Sequence, residues 1–122
     1  MHELSIAYQL VEAASNAARQ NGAARVTVVH LQLGSFAGVV RDALEFSFGI
    51  AAEDTPVAGA QLLIEDVPLT IFCEPCAAEA ILPDNRMFRC PRCNTPSSRI
   101  VRGRELLLTA IEIEEPHGTP PG

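Results

Sequence analysis

Cys73-Glu74-Pro75-Cys76 and Cys90-Pro91-Arg92-Cys93 are the two stretches that decide how this chain is organised. They contain all four cysteines of the 122-residue sequence, and the spacing within each pair lets a tight turn aim both sulfurs at one point. Two such turns that face each other supply four thiolates in a tetrahedron, the ligand set of a closed structural Zn²⁺ site. The intervening segment 77–89 is slightly short for such sites, but it is long enough for each turn to sit on its own hairpin. The pattern therefore predicts zinc bound by Cys73, Cys76, Cys90 and Cys93.

Three other interpretations of the paired cysteines compete with zinc. Two structural disulfides would require an oxidising compartment. A dithiol redox pair is expected in a βαβ context, which surrounds neither pair here. Iron can occupy the same four sulfurs, as in rubredoxin, because tetrahedral thiolate sites accept either metal. Only Phe72 and Phe88 offer aromatic cover near the pairs, less than a shielded redox centre should have, so zinc is favoured.

Composition argues against several classes of function. Hydrophobic residues make up 48% of the chain and aromatic residues 5%, so the core should be aliphatic, and the length suits one domain or one small domain with an attached module. The net charge of −6 argues against nucleic acid or an acidic membrane surface as the main partner. We find no apolar run that could cross a bilayer and no signal peptide, and paired thiols without a secretion signal indicate the cytoplasm.

The basic residues are concentrated around the cysteines. All nine are arginine, and six lie in or just after the cysteine module, at Arg86, Arg89, Arg92, Arg99, Arg102 and Arg104. A zinc ion bound by four thiolates carries a net charge of about −2. Nearby arginines are therefore expected for electrostatic reasons alone, and a docking surface for an acidic protein is the alternative.

Hydrophobic periodicity predicts two helices and three strands outside the cysteine module. The predicted helices are 4–20 and 40–52, and the predicted strands are 25–33, 61–67 and 105–114. The second helix has apolar residues on two sides and few charges, so most of it is expected to be buried.

The order helix, strand, helix, strand, module, strand predicts an α+β fold. A three-stranded sheet with both helices on one face would bury the aliphatic stripes, and a zinc-ribbon-like module of short hairpins would be inserted into it. Because the module leaves one strand and returns on another, its ends must lie close together, and antiparallel pairing of 61–67 with 105–114 is the simplest arrangement. The expected parts are an α/β domain of 1–67 and 104–115, an inserted zinc-binding module of 68–103, and a flexible tail of 116–122.

Several short motifs occur together along the chain. They are Met-His-Glu-Leu-Ser at 1–5, Leu-Gly-Ser-Phe-Ala-Gly-Val at 33–39, Ala-Leu-Glu-Phe-Ser-Phe at 43–48, the two Cys-x-x-Cys pairs, and Gly-Arg-Glu-Leu at 103–106. In this order they resemble the HypA (and HybF) family of hydrogenase maturation proteins, from residue 1 to about 114. That family often has Gly directly after each cysteine pair, where this chain has Ala77 and Asn94. Asn tolerates the left-handed conformation, whereas Ala adopts it at a small cost.

The resemblance implies a nickel metallochaperone that helps to deliver Ni²⁺ to [NiFe]-hydrogenase. Nickel would bind at the N-terminus, through the Met1 amine, the His2 imidazole and the backbone nitrogens of His2 and Glu3. Nitrogen donors in short chelate rings suit Ni²⁺ and Cu²⁺ far better than Mg²⁺ or Ca²⁺. The implied partners are a HypB-type GTPase and the precursor of the hydrogenase large subunit. Ni²⁺ would then be cargo and Zn²⁺ structural, with the oligomeric state left open, a homodimer included.

We recognise no catalytic constellation in the sequence. Ser35 lacks a nearby base and there is no Gly-rich phosphate loop, so we expect a non-enzymatic protein whose partner handles nucleotides. His30 lies on a strand face, where a packed or rim role is favoured over metal binding. Two other functions compete with nickel delivery. A zinc-ribbon adaptor for protein docking would tolerate an N-terminal extension, and a rubredoxin-like electron carrier would show a visible absorption spectrum.

Overall fold

A computed structural model describes residues 2–83 and 88–114, which form two helices and six strands. The helices are α1 (Glu3–Gln20) and α2 (Arg41–Ala52), and the strands are β1 (Val26–Gly34), β2 (Gln61–Val67), β3 (Thr70–Cys73), β4 (Ala78–Ile81), β5 (Ile100–Arg102) and β6 (Leu106–Ile113). The α+β prediction is confirmed, and each helix and strand predicted outside the module agrees with the structure to within one residue at either end. The predicted tail, 116–122, lies outside the described residues.

Helix α1 packs against α2 through a stripe of small and aliphatic side chains. Ala7, Val11, Ala14 and Ala18 recur at helical spacing and are buried, and three of these four are alanines that allow close approach. The helix ends where Gly22 adopts a left-handed conformation, with a φ of 69°, which costs glycine nothing because it has no Cβ. Helix α1 therefore has one buried side along its whole length.

Helix α2 is less buried than its sequence predicts. Leu44, Phe48 and Ala51 are buried, but Phe46 and Ile50 are exposed. The prediction of a mostly buried helix was wrong because its apolar residues occupy two sides, and only one of them faces the core. The second side is left as apolar surface.

Strand β1 is the centre of the first sheet, whose order is β2-β1-β6. Strands β1 and β6 run antiparallel, since Arg25 O accepts a hydrogen bond from Glu114 N while Gly34 N donates one to Glu105 O at the other end. The predicted pairing of 61–67 with 105–114 was therefore wrong. The ends of the module are brought together by its own strands instead, because β3 pairs antiparallel with β5 and places Thr70 opposite Arg102.

The chain divides into two compact units. The first comprises Met1–Leu31, Val39–Leu63 and Leu108–Gly122, and the second comprises Gln32–Gly38 and Ile64–Leu107. The second unit contains the sheet β4-β3-β5 and a small core that includes Leu69, Ile71 and two of the cysteines. Within 2–83 and 88–114, neither helix combines the length and apolarity that a membrane crossing requires.

Candidate metal centre

The first Cys-x-x-Cys pair forms the turn of the β3–β4 hairpin. Cys73 ends β3 and lies opposite Ala78, the first residue of β4. Between them, Ala77 N donates a hydrogen bond to Glu74 O at 2.9 Å, and Ala77 has a φ of 52°. The left-handed residue closes the turn and directs the Cys73 and Cys76 sulfurs to the same side.

The second Cys-x-x-Cys pair forms a similar turn, but a single β-bridge follows it instead of a β-hairpin. Asn94 N donates to Cys90 O at 2.7 Å, Asn94 has a φ of 63°, and Cys90 N donates to Thr95 O. An antiparallel β-bridge between Arg89 and Pro96 pairs the backbone segments on the two sides of this turn. Each pair thus lies at the turn of an antiparallel ladder, as the sequence predicts.

The two turns bring the four sulfurs into one cluster. Cys73 Sγ lies 3.5 Å from Cys93 Sγ, Cys76 Sγ lies 3.9 Å from Cys90 Sγ, and all four are within 4.8 Å of one another. Four sulfurs arranged tetrahedrally at zinc–sulfur bonds of about 2.3 Å would be separated by about 3.8 Å. The cysteines are free thiols rather than disulfides. The donor set and its spacing therefore fit Zn²⁺.

The sulfurs differ in their tendency to ionise. The Thr95 hydroxyl lies 3.1 Å from Cys93 Sγ, and this hydrogen bond lowers the pKa of Cys93 to about 6. For Cys73, a backbone hydrogen bond from Cys76 favours the thiolate, but burial and the neighbouring sulfurs raise the pKa to about 12. Four thiolates this close repel one another unless a cation lies among them, so metal binding would release protons.

The arginines of the module are engaged within it. Arg92 donates to Glu79 O, and its hydrogen bond with Cys76 raises the Arg92 pKa. Arg99 stacks on the Phe72 ring at 4.8 Å. Further internal contacts join Arg89 to Asn94 O, Arg99 to Glu74 and Arg102 to Glu79. These contacts favour local charge compensation over an acidic partner, while Arg86 lies outside the described residues.

The loop after β1 is part of the second unit and binds both ends of the module. Ser35 Oγ accepts a hydrogen bond from Leu69 N at 3.0 Å, and Ser35 N donates to Val67 O at 2.9 Å. Phe36 N donates to Gly103 O at 2.7 Å, and the Phe36 ring meets Phe88 edge-on, 5.5 Å between centroids. Ser35 therefore has a structural role, which no sequence pattern had indicated.

Two glycines make this close approach feasible. A Cβ on Gly34 would lie 2.1 Å from Gly103 O, and one on Gly103 would lie 2.7 Å from Leu69 Cα. Gly103 also has a φ of 121°, which L side chains rarely adopt. Both glycines are obligatory here, and their presence in two of the quoted motifs is explained by backbone contact rather than by chemistry.

Two of the three predicted nickel ligands, His2 and Glu3, lie at the start of α1. Met1 is outside the described residues, and His2 is exposed at the N-cap, with its carbonyl accepting a hydrogen bond from Ile6 N. Glu3 is buried, and its carboxylate accepts a hydrogen bond from Val40 N at 2.9 Å. That bond holds the pKa of Glu3 below its ordinary value.

His30 lies in the first unit and contacts an acidic side chain there. Its Nε2 atom lies 2.7 Å from Glu112 Oε2, on the neighbouring strand β6. In the described part of the chain, the four cysteines are the only group of three or more His, Cys, Asp or Glu residues close enough to share a metal ion. The interpretation of His30 as a rim residue agrees with this arrangement.

Replacing Glu3 by Gln should make stability less sensitive to acid. Because the Glu3 pKa is lowered from 4.5 by the Val40 hydrogen bond, its stabilising contribution is complete above that value and is lost as the pH falls through the lowered pKa. Urea unfolding of wild type and Glu3→Gln at neutral pH and near pH 3.5 tests this. The cysteine site is also sensitive to acid, but equally so in both proteins, so its effect cancels when their losses of unfolding free energy are compared. Equal losses of unfolding free energy in the two proteins would contradict the assignment.

Replacing Ala77 by Gly should stabilise the first turn. Ala77 has a φ of 52°, and glycine adopts this conformation without a Cβ penalty, so we expect a gain of about 1 kcal/mol in the metal-loaded protein. Urea unfolding and competition with a zinc chelator measure the effect. Ala78→Gly, one residue on and at the start of β4, is the matched control and should destabilise. A loss of stability in Ala77→Gly would show that the turn is not strained.

Comparisons with known proteins agree on one family. The family model described as "Hydrogenase/urease nickel incorporation, metallochaperone, hypA" matches residues 1–113. A hydrogenase maturation factor HypA of Chloroflexus aurantiacus is 58% identical over 112 residues, covering 92% of this chain and 98% of the relative. The same factor of Roseiflexus sp. is 56% identical over 115 residues, covering 94% of each.

Solved structures show the same fold at lower identity. A solution structure of HypA protein superimposes with a TM-score of 0.68 at 23% identity, and the match covers 93% of this chain and 97% of that chain. The solution structure of the Ni metallochaperone HypA from Helicobacter pylori has a TM-score of 0.64 at 22% identity, with the same coverage. These likenesses extend over nearly the whole chain.

Proposed function

The chain belongs to the HypA family of nickel metallochaperones, and we propose that it binds Ni²⁺ at its N-terminus and helps to insert it into [NiFe]-hydrogenase during maturation. In this proposal Cys73, Cys76, Cys90 and Cys93 hold a structural Zn²⁺, and Met1, His2 and Glu3 supply the nitrogens for nickel. The α/β part, 1–67 and 104–115, would carry the cargo, and the inserted module, 68–103, would carry the structural metal. The observation that supports this division most is the closed sulfur cluster.

The sulfur cluster suits a resident metal rather than a transported one. Cys73 and Cys90 are buried, and the four sulfurs lie within 4.8 Å of one another, so together they would fill all four positions of a tetrahedral Zn²⁺. Zn²⁺ bound there would link the β3–β4 turn to the second turn. A metal held so firmly is a poor cargo, because delivery requires a site that can release it.

The start of α1 has the properties that a delivery site requires. The His2 side chain is exposed, and the backbone nitrogens of His2 and Glu3 lie beside it at the start of α1, so the imidazole and the main chain would offer nitrogen donors to one metal ion. Nitrogen donors of this kind suit Ni²⁺ and Cu²⁺ far better than Mg²⁺ or Ca²⁺. The Glu3 carboxylate already accepts the Val40 N–H, so we assign Glu3 a backbone rather than a carboxylate role toward nickel.

The proposed nickel transfer also needs partner proteins. We propose a HypB-type GTPase and the precursor of the hydrogenase large subunit, and a cytoplasmic location where the thiols stay reduced. In this scheme the protein binds, presents and releases Ni²⁺ and catalyses no reaction of its own.

A nickel titration of three forms of the zinc-loaded protein tests the proposal. Isothermal calorimetry should show one Ni²⁺ site in wild type with its native start. His2→Ala and a form with two residues added before Met1 should both lose that site, because the first removes the imidazole and the second displaces the terminal amine. His30→Ala is the matched control and should bind as wild type does, since that side chain contacts Glu112. If all forms bind alike, nickel lies elsewhere and an adaptor function for the module becomes the better account.

A further inference from the structure

An open pocket of about 600 Å³ lies between helix α1 and the turn that follows α2, within the first unit. Three of the residues that line it, Val11, Ser15 and Ala51, are buried, whereas Tyr8 is exposed. The pocket therefore reaches from the solvent down to side chains at the contact between the two helices.

The exposed residues around this pocket are mostly acidic. Glu12 on α1 and Glu53 and Asp54 after α2 line it, together with a single arginine, Arg19. None of the three carboxylates forms an ion pair or a hydrogen bond with a residue of 2–83 or 88–114. Three carboxylates against one guanidinium leave two negative charges uncompensated. We call this feature the acidic pocket, defined by these three carboxylates and Ser15.

The Ser15 hydroxyl is a polar group without a partner in the acidic pocket. Ser15 is only 5% exposed, and its hydroxyl forms no hydrogen bond with any other residue in the described ranges. In those ranges, no side-chain oxygen is both sealed from solvent and without a hydrogen bond, so the Ser15 oxygen must be open to the pocket that it lines. An almost buried hydroxyl without a protein partner indicates a position for a ligand, because leaving it unpaired is unfavourable. Its oxygen can accept a hydrogen bond from an N–H donor.

The acidic pocket does not suit a metal ion. The three carboxylates do not converge on one point, since in the described residues only the four cysteines are close enough to share an ion. Glu12 belongs to α1, whereas Glu53 and Asp54 follow α2, so the negative charges lie on two sides of the pocket. A ligand that compensates them must therefore carry its positive charges apart from each other.

We propose that the acidic pocket binds a free aliphatic diamine or polyamine, of which 1,4-diaminobutane is the simplest example. Two ammonium groups match the two uncompensated charges, and they donate hydrogen bonds to the carboxylates and to the Ser15 hydroxyl. The alkyl chain between them packs on Val11 and Ala51, and the Tyr8 ring offers a face to an ammonium group. A single lysine of a partner protein carries the same group but only one charge, so a free diamine fits better. The inference stands whether or not nickel binds at His2.

Calorimetric titration of 1,4-diaminobutane into the full zinc-loaded, nickel-free protein at low salt tests this inference. Wild type should bind one diamine per chain, and Glu12→Gln combined with Glu53→Gln should weaken binding by about tenfold or more, because both sides of the pocket lose charge. Asp42→Asn combined with Glu45→Gln is the matched control. It changes the net charge equally on α2 without touching the pocket lining, so it should bind as wild type does.

The role of Ser15 has its own test. Ser15→Ala should weaken diamine binding severalfold, and unfolding cannot explain the loss because alanine is the better helix former. Butylamine, which has the same alkyl chain and one charge, should bind wild type at least about tenfold more weakly than the diamine.

Three results would overturn the proposal. The first is equal binding of butylamine and the diamine, and the second is an equal loss in the Asp42→Asn, Glu45→Gln control, which would indicate a general attraction of cations. The third is a short two-lysine peptide that binds the acidic pocket much more tightly than the diamine, because the pocket would then serve a partner protein.

Discussion

Cys73→Ser is expected to abolish the zinc binding that we propose for the four cysteines and to unfold the second unit. Cys73 is buried, ends β3 and contributes to the small core of the module as well as to the sulfur cluster. Structural zinc sites contribute on the order of 10–16 kcal/mol of apparent binding free energy, more than a core of this size can supply. Without the metal, the zinc–sulfur bonds that would link the β3–β4 hairpin to the second Cys-x-x-Cys turn are lost.

Metal analysis and hydrogen exchange measure this loss. Wild type should contain one zinc per chain and protect the amides of Thr70–Cys73, whereas Cys73→Ser should lose both. Wild type treated with a strong chelator is the matched control, because it removes the metal without changing a side chain, and it should reach the same state. Full zinc occupancy and unchanged amide protection in Cys73→Ser would contradict a tetrathiolate site.

Gly103→Ala should be among the most damaging single-methyl changes in this chain. The new Cβ would lie 2.7 Å from Leu69 Cα and 3.3 Å from Leu69 N, both backbone atoms that cannot turn aside, and the φ of 121° adds strain for any L residue. We expect a loss of about 4 kcal/mol or more, because the β3 end of the module must move away from β5 to relieve the contact. Gly34→Ala should act in the same way, since its Cβ would lie 2.1 Å from Gly103 O.

Gly49→Ala is the matched control for these substitutions. It lies within α2, where an added Cβ meets nothing within 4 Å, so it should stabilise by about 1 kcal/mol through helix propensity. Urea unfolding of the zinc-loaded proteins, followed by far-UV circular dichroism, compares the three variants. If Gly103→Ala unfolds at the wild-type urea concentration, the contact of residue 103 with Leu69 is not what joins the ends of the module.

Much of the fold could be predicted because the periodicity is local. The alanine stripe of α1 and the alternation of 61–67 each depend on neighbours within a few residues, and both elements were placed to within one residue. The order of strands in the sheet could not be predicted in this way. The choice of β1 as the central strand depends on which strands meet after folding, and the β3–β5 pairing that joins the module's ends is a long-range contact.

The sulfur cluster was predictable from spacing, whereas its support was not. Cys-x-x-Cys spacing constrains the two sulfurs of a pair directly, and the structure brings both pairs together. The hydrogen bond between Cys93 and Thr95 is local but is not implied by the Cys-x-x-Cys spacing, and the bond from Leu69 N to Ser35 Oγ arises only when distant segments pack. The exposed side of α2 was missed for a related reason, since an apolar row looks the same in sequence whether a core or a partner covers it.

X-ray absorption at the zinc and nickel edges of one sample tests the central claim most directly. The claim is that zinc is held by the four cysteines and nickel by the nitrogens at the chain start. Protein loaded with one equivalent of each metal should show four sulfur neighbours around zinc at about 2.3 Å and only nitrogen or oxygen neighbours around nickel. Sulfur in the nickel shell, or fewer than four sulfurs around zinc, would contradict the division of the two metals.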